Sequence, residues 1–207
     1  MKVSILWLGL TQLLLLVSKK SSTAIRVHCR DVERIHEDHI HYCCKHPDGH
    51  NDVTEQCAKQ TKFKLPSRDE EAIEDLTVDH VMTGTCFAKC VFDHYNFMDN
   101  DKLNMTAVRN HYQSTYKEDP EYVKEMISAF NLCHSKSEDA TAEFLSTSIV
   151  KAFSSSAYSC KPMPSVVLAC VIHRFFHNCP RNRWSNTTEC VETLAFSKKC
   201  KDVLTTM

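Results

Sequence analysis

The chain has 207 residues, with 25 basic and 26 acidic side chains, a formal net charge of −1, twelve cysteines and only three glycines. The charges balance and no Lys/Arg stripe forms, which excludes nucleic acid as an expected partner. So little glycine argues against a β-sandwich of this length, whose turns need it, and favours helices.

The opening stretch reads as a targeting segment. Met1-Lys2 is a short basic start, and Ile5 to Val17 is an apolar run broken only by Gly9, Thr11 and Gln12. Ser22 and Ala24 are small residues at the spacing a signal peptidase reads. The run is about thirteen residues, too short for a helix to cross a bilayer core of about 30 Å. Cleavage after Ala24 is expected. It removes three lysines and leaves residues 25–207 as one soluble, exported domain with a formal charge of −4.

Helical signals recur along the remainder. Asp31 to Cys44 carries Val32, Ile35, His39 and Tyr42 at helical spacing and stops before Pro47-Asp48-Gly49. A short helix follows from Val53 to Lys62, and Pro66 to Glu71 reads as a break before an acidic helix start. The next helix spans Val78 to Met98. Asp99-Asn100-Asp101 is a turn that lacks the glycine and closing glutamate of a calcium loop. Helices are then predicted from Thr106 to Tyr116 and from Asp119-Pro120-Glu121, a cap with a following proline, to about Phe130. Ser135 and Glu138 have capping-box spacing ahead of Leu145, Ile149, Ala152 and Phe153. After Pro162 and Pro164, Ser165 to Asn178 is apolar over most of its circumference, the mark of a central helix. Thr188 to Lys199 adds a last helix. The expected fold is all-α, a compact disulfide-linked bundle of about seven to nine short helices around an apolar cavity.

An even number of cysteines behind an export signal reads as a disulfide framework. Cys86 and Cys90 are i, i+4 and share a helix face. Cys170 and Cys179 are nine apart, which on one continuous helix places them on opposite flanks. Adjacent Cys43 and Cys44 do not suit each other as partners, because a vicinal bridge strains the backbone.

The spacing Cys57-x28-Cys86-x3-Cys90-x42-Cys133, with Cys170-x8-Cys179-Pro180 later, resembles the six-cysteine core of insect odorant-binding proteins. Cys160, Arg183-Trp184 and Cys190 resemble additions of the Plus-C subgroup, with extensions at both ends of a core at about 57–179. The resemblance implies pairs first–third, second–fifth and fourth–sixth, that is Cys57–Cys90, Cys86–Cys170 and Cys133–Cys179. Cys29, Cys43, Cys44, Cys160, Cys190 and Cys200 then stay unassigned, with Cys43 and Cys44 expected to tie the N-terminal helix to the C-terminal tail.

What the resemblance implies is a secreted carrier of small hydrophobic ligands, odorants or pheromones or similar, working in extracellular fluid without a cofactor. Apolar faces supply the expected pocket walls: Phe87, Val91, Tyr95 and Met98; Phe144, Ile149 and Phe153; Val167, Val171 and Phe175. The i, i+4 pair His173 and His177 is the candidate pH switch. Asn104 and Asn186 open Asn-x-Thr glycosylation triplets. A homodimer and a downstream membrane odorant receptor stay open as partners.

Catalysis is not expected. Cys43-Cys44-Lys45-His46-Pro47-Asp48 only faintly resembles the helix of secreted phospholipase A2, since the histidine comes a residue early and no Gly-rich calcium loop exists. No Gly-x-Ser-x-Gly elbow or His-Glu-x-x-His helix occurs. The cluster His36, His39, His41, His46 and His50 reads as solvated rather than as a metal site, because its neighbouring thiols are expected to be oxidised. The alternative to a carrier is a secreted helical interaction or structural protein, with no ligand cavity, acting through its surface.

Overall fold

The computed structural model describes residues 29, 38–47, 51–65, 78–146 and 160–200. The expected leader, the acidic start near Glu70, and Ile149 and Phe153 lie outside them. Helices dominate: α1 (Asp38–Cys43), α2 (Asp52–Thr61), α3 (Val78–His94), α4 (Met105–Thr115), α5 (Pro120–His134), α6 (Ser137–Ser146), α7 (Met163–His177) and α8 (Thr188–Lys199). Between α3 and α4, β1 (Met98–Asp99) and β2 (Lys102–Leu103) pair as a two-residue hairpin. Its turn residues Asn100 and Asp101 have φ of 46° and 66°, a left-handed conformation that Asn and Asp tolerate better than most residues. The expected helix to Met98 therefore ends at His94, and Met98 begins a strand.

Local chemistry accounts for most helix ends. Asn51 caps α2 by accepting from the Val53 and Thr54 amides, and the Thr54 hydroxyl accepts from the Asn51 amide in return. Asp119 caps α5 ahead of Pro120, and Thr187 caps α8 by accepting from the Cys190 amide. The expected capping box at Ser135 is absent. That residue closes α5, and its hydroxyl donates to the Leu132 carbonyl.

α7 is the hub, packed against α5, α3, α6, α1 and α8. It buries Val167, Val171 and Phe175, an i, i+4, i+8 stripe, together with Phe176, all at 0–1 % exposure. Phe92, Phe97, Tyr122 and Phe130 fill the space opposite, with Phe92 and Phe97 meeting edge-on at 5.5 Å.

Six disulfides join all twelve cysteines: Cys29–Cys200, Cys43–Cys190, Cys44–Cys179, Cys57–Cys90, Cys86–Cys160 and Cys133–Cys170. Two expected pairs are thereby corrected. Cys86 meets Cys160, not Cys170, and Cys133 meets Cys170, not Cys179. The first–third, second–fifth, fourth–sixth order survives, with Cys160 and Cys170 as the fifth and sixth members, so the core runs over 57–170. The expected pairs take Cys170 and Cys179, rather than Cys160 and Cys170, as the fifth and sixth members of the resemblance, and the opposite-flank geometry of one continuous helix agrees with that choice. α7 ends at His177 with Asn178 as its cap, and Cys179 lies beyond it, within a Cα separation of 5.8 Å from Cys44. Cys170 faces α5 instead, 5.9 Å from Cys133, and a bridge needs such proximity.

Candidate ligand-binding site

The N-terminal and C-terminal additions are sewn into one strap across an end of the core. Cys43 and Cys44, both fully buried, reach different partners, Cys190 on α8 and Cys179 after α7. Between them the backbone pairs in antiparallel fashion with the 183–185 segment. The Lys45 amide donates to the Arg183 carbonyl (3.0 Å) and the Ser185 amide to the Cys43 carbonyl (2.8 Å). Arg183 locks the junction. It donates through Nη1 to the Lys45 carbonyl (2.8 Å) and through Nε to Asp119 Oδ2 (3.1 Å), and its guanidinium sits 4.6 Å over the Tyr122 ring. The same guanidinium holds the Asp119 carboxyl below the usual carboxylate range, helped by the Tyr122 amide. His46 then lies 4.4 Å from Phe175. That contact corrects the reading of His46 as solvated; His36, His39, His41 and His50 fall outside the described side chains.

Beside this strap lies a chain of aromatic rings. Tyr95 and His111 are tilted against each other at 4.3 Å, Tyr112 stacks on Tyr116 at 5.7 Å, and Tyr116 meets Tyr122 edge-on at 5.1 Å. Tyr112 on α4 and Tyr116, the cap that closes it, are i, i+4. Burial raises the pKa of Tyr95, Tyr112, Tyr116 and Tyr122 above the ordinary phenol value, so all four stay protonated at neutral pH. Burial lowers that of His111.

The predicted pocket walls among the described residues fall in different settings, and Ile149 and Phe153 lie outside those residues. Val167, Val171 and Phe175 are solid core, at 0–1 % exposure. Phe87 and Val91 are half-buried on α3, where Phe87 stacks on Phe63 at 4.6 Å. Tyr95, Met98 and Phe144 are also half-buried, Tyr95 belonging to the aromatic chain. Two hollows among the described residues are open and polar. One, of about 460 Å³, lies between the β hairpin and the start of α4; the other, of about 320 Å³, runs from Asp101 past His134 and Glu138 to Met163. The expected apolar cavity is therefore not enclosed by the core stripe of α7, because Phe92, Phe130 and Phe176 already fill the space beside it.

His173 and His177 are brought together with rings 4.1 Å apart, and both Nε2 atoms converge on the Ser197 hydroxyl of α8, at 3.1 and 2.6 Å. Burial, with the neighbouring Arg174 charge, lowers the pKa of His173. Sequence reasoning found the pair but not its partner, which sits on another helix. Of the two glycosylation triplets, Asn186 is exposed before α8, whereas Asn104 spends its Oδ1 on capping α4 through the Ala107 amide (3.1 Å). No group of three or more His, Cys, Asp or Glu side chains among the described residues stands close enough to hold a metal.

Residues 61–196 match the family model described as AgamOBP47-like. The chain is 24% identical over 151 residues to General odorant-binding protein 67 of Anopheles gambiae, covering 72% of this chain and 68% of that protein. It is 22% identical over 207 residues to General odorant-binding protein 68 of the same mosquito, covering 96% and 87%. No solved structure is significantly similar to it. With twelve cysteines closed into six bridges on a helical frame, the chain belongs to the AgamOBP47-like family of insect odorant-binding proteins and fits its Plus-C type.

Proposed function

We propose that the chain is a secreted, non-catalytic carrier that takes small hydrophobic molecules from water and releases them unchanged. The observation that carries this reading is the family match over 61–196, on a domain whose helices are fixed by six disulfides. Such bridges suit an oxidising extracellular fluid, and no helix among the described residues is long and apolar enough to cross a membrane. Binding would consist of moving apolar surface out of water, at roughly 25 cal/mol per Å². A pre-rigidified frame loses little further entropy in that step. Of the predicted pocket walls, the half-buried ones, Phe87, Val91, Tyr95, Met98 and Phe144, are those proposed to meet a ligand.

The filled interior favours a second reading, a surface-acting helical module. Native mass spectrometry of the secreted protein separates the two. The carrier reading expects retained molecules of a few hundred daltons or less, released on unfolding, on a chain that begins at Ile25 and carries a glycan at Asn186. Ligand-free protein that also fails to bind the fluorescent probe N-phenyl-1-naphthylamine would leave the surface-acting module standing. The same spectrum reports whether the protein dimerises.

The pair His173 and His177 is proposed as an acid-sensitive clasp between α7 and α8. The groups set against it are Ser197 from α8 and Arg174 on α7 itself. His173 has a lowered pKa in the fold, so the folded chain resists the proton that the unfolded chain accepts. Its stabilising contribution is whole above the unfolded value of 6.5 and is lost as pH falls below it toward the folded value. The melting temperature is expected to drop between pH 7.5 and 5, and to drop less in His173→Gln. An equal drop in that variant would place the acid sensitivity elsewhere.

A further inference from the structure

Two exposed apolar side chains flank one bridge of the strap. Tyr42 is 58 % exposed, more than any other large hydrophobic side chain among the described residues, and Val191 is 38 % exposed. Tyr42 precedes Cys43 and Val191 follows Cys190, and the Cys43–Cys190 bridge holds the two segments at a Cα separation of 5.3 Å. Scattered apolar residues are ordinary on a surface, but two that flank one bridge concentrate apolar area at one place. The 183–185 segment runs alongside. The Ser185 hydroxyl donates to the Tyr42 carbonyl at 3.0 Å, and the Ser185 amide donates to the Cys43 carbonyl at 2.8 Å. Asn186, one residue on, stands at the Tyr42 end of this pairing. It is exposed and opens the triplet Asn186-Thr187-Thr188.

We infer that Asn186 carries an N-linked glycan whose first N-acetylglucosamine lies on the Tyr42 ring and covers the apolar surface at the Cys43–Cys190 bridge. The inference rests on secretion, not on the carrier reading. In a secretory route the sugar comes from an oligosaccharide joined to a lipid pyrophosphate. The Asn186 Nδ2 bonds to the anomeric carbon as that carbon's bond to the pyrophosphate breaks; Nδ2 gives up one proton and the lipid pyrophosphate leaves. A pyranose has a face of C–H groups, apolar and weakly positive, which suits the negative face of an aromatic ring. Seating it on Tyr42 takes apolar area out of water. The backbone below is already fixed by the bridge and the two Ser185 hydrogen bonds, so the contact orders little of the protein. The triplet also spares the fold, since Thr187 caps α8 with its own hydroxyl and Thr188 is exposed. Asn104 offers no such seat, being half-buried with its Oδ1 held by the Ala107 amide. A sugar on Tyr42 stands where a second protein chain would dock, so the two occupants exclude each other.

The test is expression of the full chain in insect cells treated with kifunensine, then endoglycosidase H, which leaves one N-acetylglucosamine on an occupied asparagine. Wild type, Thr188→Ala, Tyr42→Ala and the double variant are compared. Thr188→Ala removes the triplet but keeps the Thr187 cap, and Tyr42→Ala keeps the carbonyl that Ser185 meets. Peptide mass spectrometry should find the sugar on Asn186. That sugar is expected to raise the melting temperature by about 2 °C when Tyr42 is present and by less than about 0.5 °C in the Tyr42→Ala background, the scale of one modest surface contact in a chain of this length. Nuclear Overhauser effects should join the Tyr42 ring protons to those of the sugar. An unmodified Asn186 in secreted protein, an equal melting shift with and without Tyr42, or no such Overhauser effect overturns the inference. A glycosylated dimer that becomes monomeric in Tyr42→Ala gives the surface to a second copy and overturns it too. All of these results leave secretion standing, whereas a chain retained inside the cells overturns both.

Discussion

Phe175→Ala is expected to destabilise the protein by about 3–5 kcal/mol, the usual cost of deleting a fully buried phenylalanine. Its ring is 0 % exposed and lies 4.4 Å from His46 and 5.3 Å, edge-on, from Tyr122. One truncation therefore opens a void beneath the strap and removes the platform on which His46 rests. Denaturant unfolding with intact disulfides measures it, and Leu145→Ala is the control. Leu145 is 48 % exposed, so that change should stay within about 0.5 kcal/mol. A loss below about 1 kcal/mol for Phe175→Ala would mean that the interior under the strap is loosely filled, and would restore Phe175 as a cavity wall.

The second large effect concerns which bridge matters most. Removing Cys133–Cys170, whose partners are 37 residues apart, is expected to cost about 4 kcal/mol in the chain-entropy model. Cys44–Cys179 spans 135 residues and would rank higher on sequence separation alone. It should nevertheless cost less, about 3 kcal/mol, because Cys43–Cys190 beside it already holds the same ends together and leaves only a short loop to close. The paired variants Cys133→Ala/Cys170→Ala and Cys44→Ala/Cys179→Ala test this by their denaturation midpoints. The reverse order would show that the strap bridges act independently. Peptide mapping without reduction should also recover Cys86 joined to Cys160, and a peptide joining Cys86 to Cys170 would contradict the fold.

The helices were legible because their signals are local. Asp119-Pro120 starts α5, and Thr188 to Lys199 is read from its sequence with the same limits that α8 adopts. The central place of α7 was legible too, since a helix apolar around most of its circumference has to be covered on every side. The helix end at His94 was not, because the apolar pattern continues through Phe97 and Met98 into a hairpin that the periodicity does not register. The candidate site was legible only as types of residue. Tyr95 was named for its apolar face, while Tyr112, Tyr116 and Tyr122 were missed. Their signal was faint: an i, i+4 tyrosine pair on one helix, with the third tyrosine six residues after it.

What the sequence determined by itself is the class of the molecule. Cysteine number and spacing, scarce glycine and helical periodicity establish a stapled helical domain of this family, because each is a short-range or compositional property. Which cysteine reaches which, whether Val171 and Phe175 line a hollow or fill it, and which hydroxyl meets His173 were decided only by the tertiary structure. Those depend on Cα separations of a few ångströms between residues as far apart as Cys44 and Cys179, and on how much room packed rings leave. Neither distance nor residual volume is written along a chain; both arise when the helices meet.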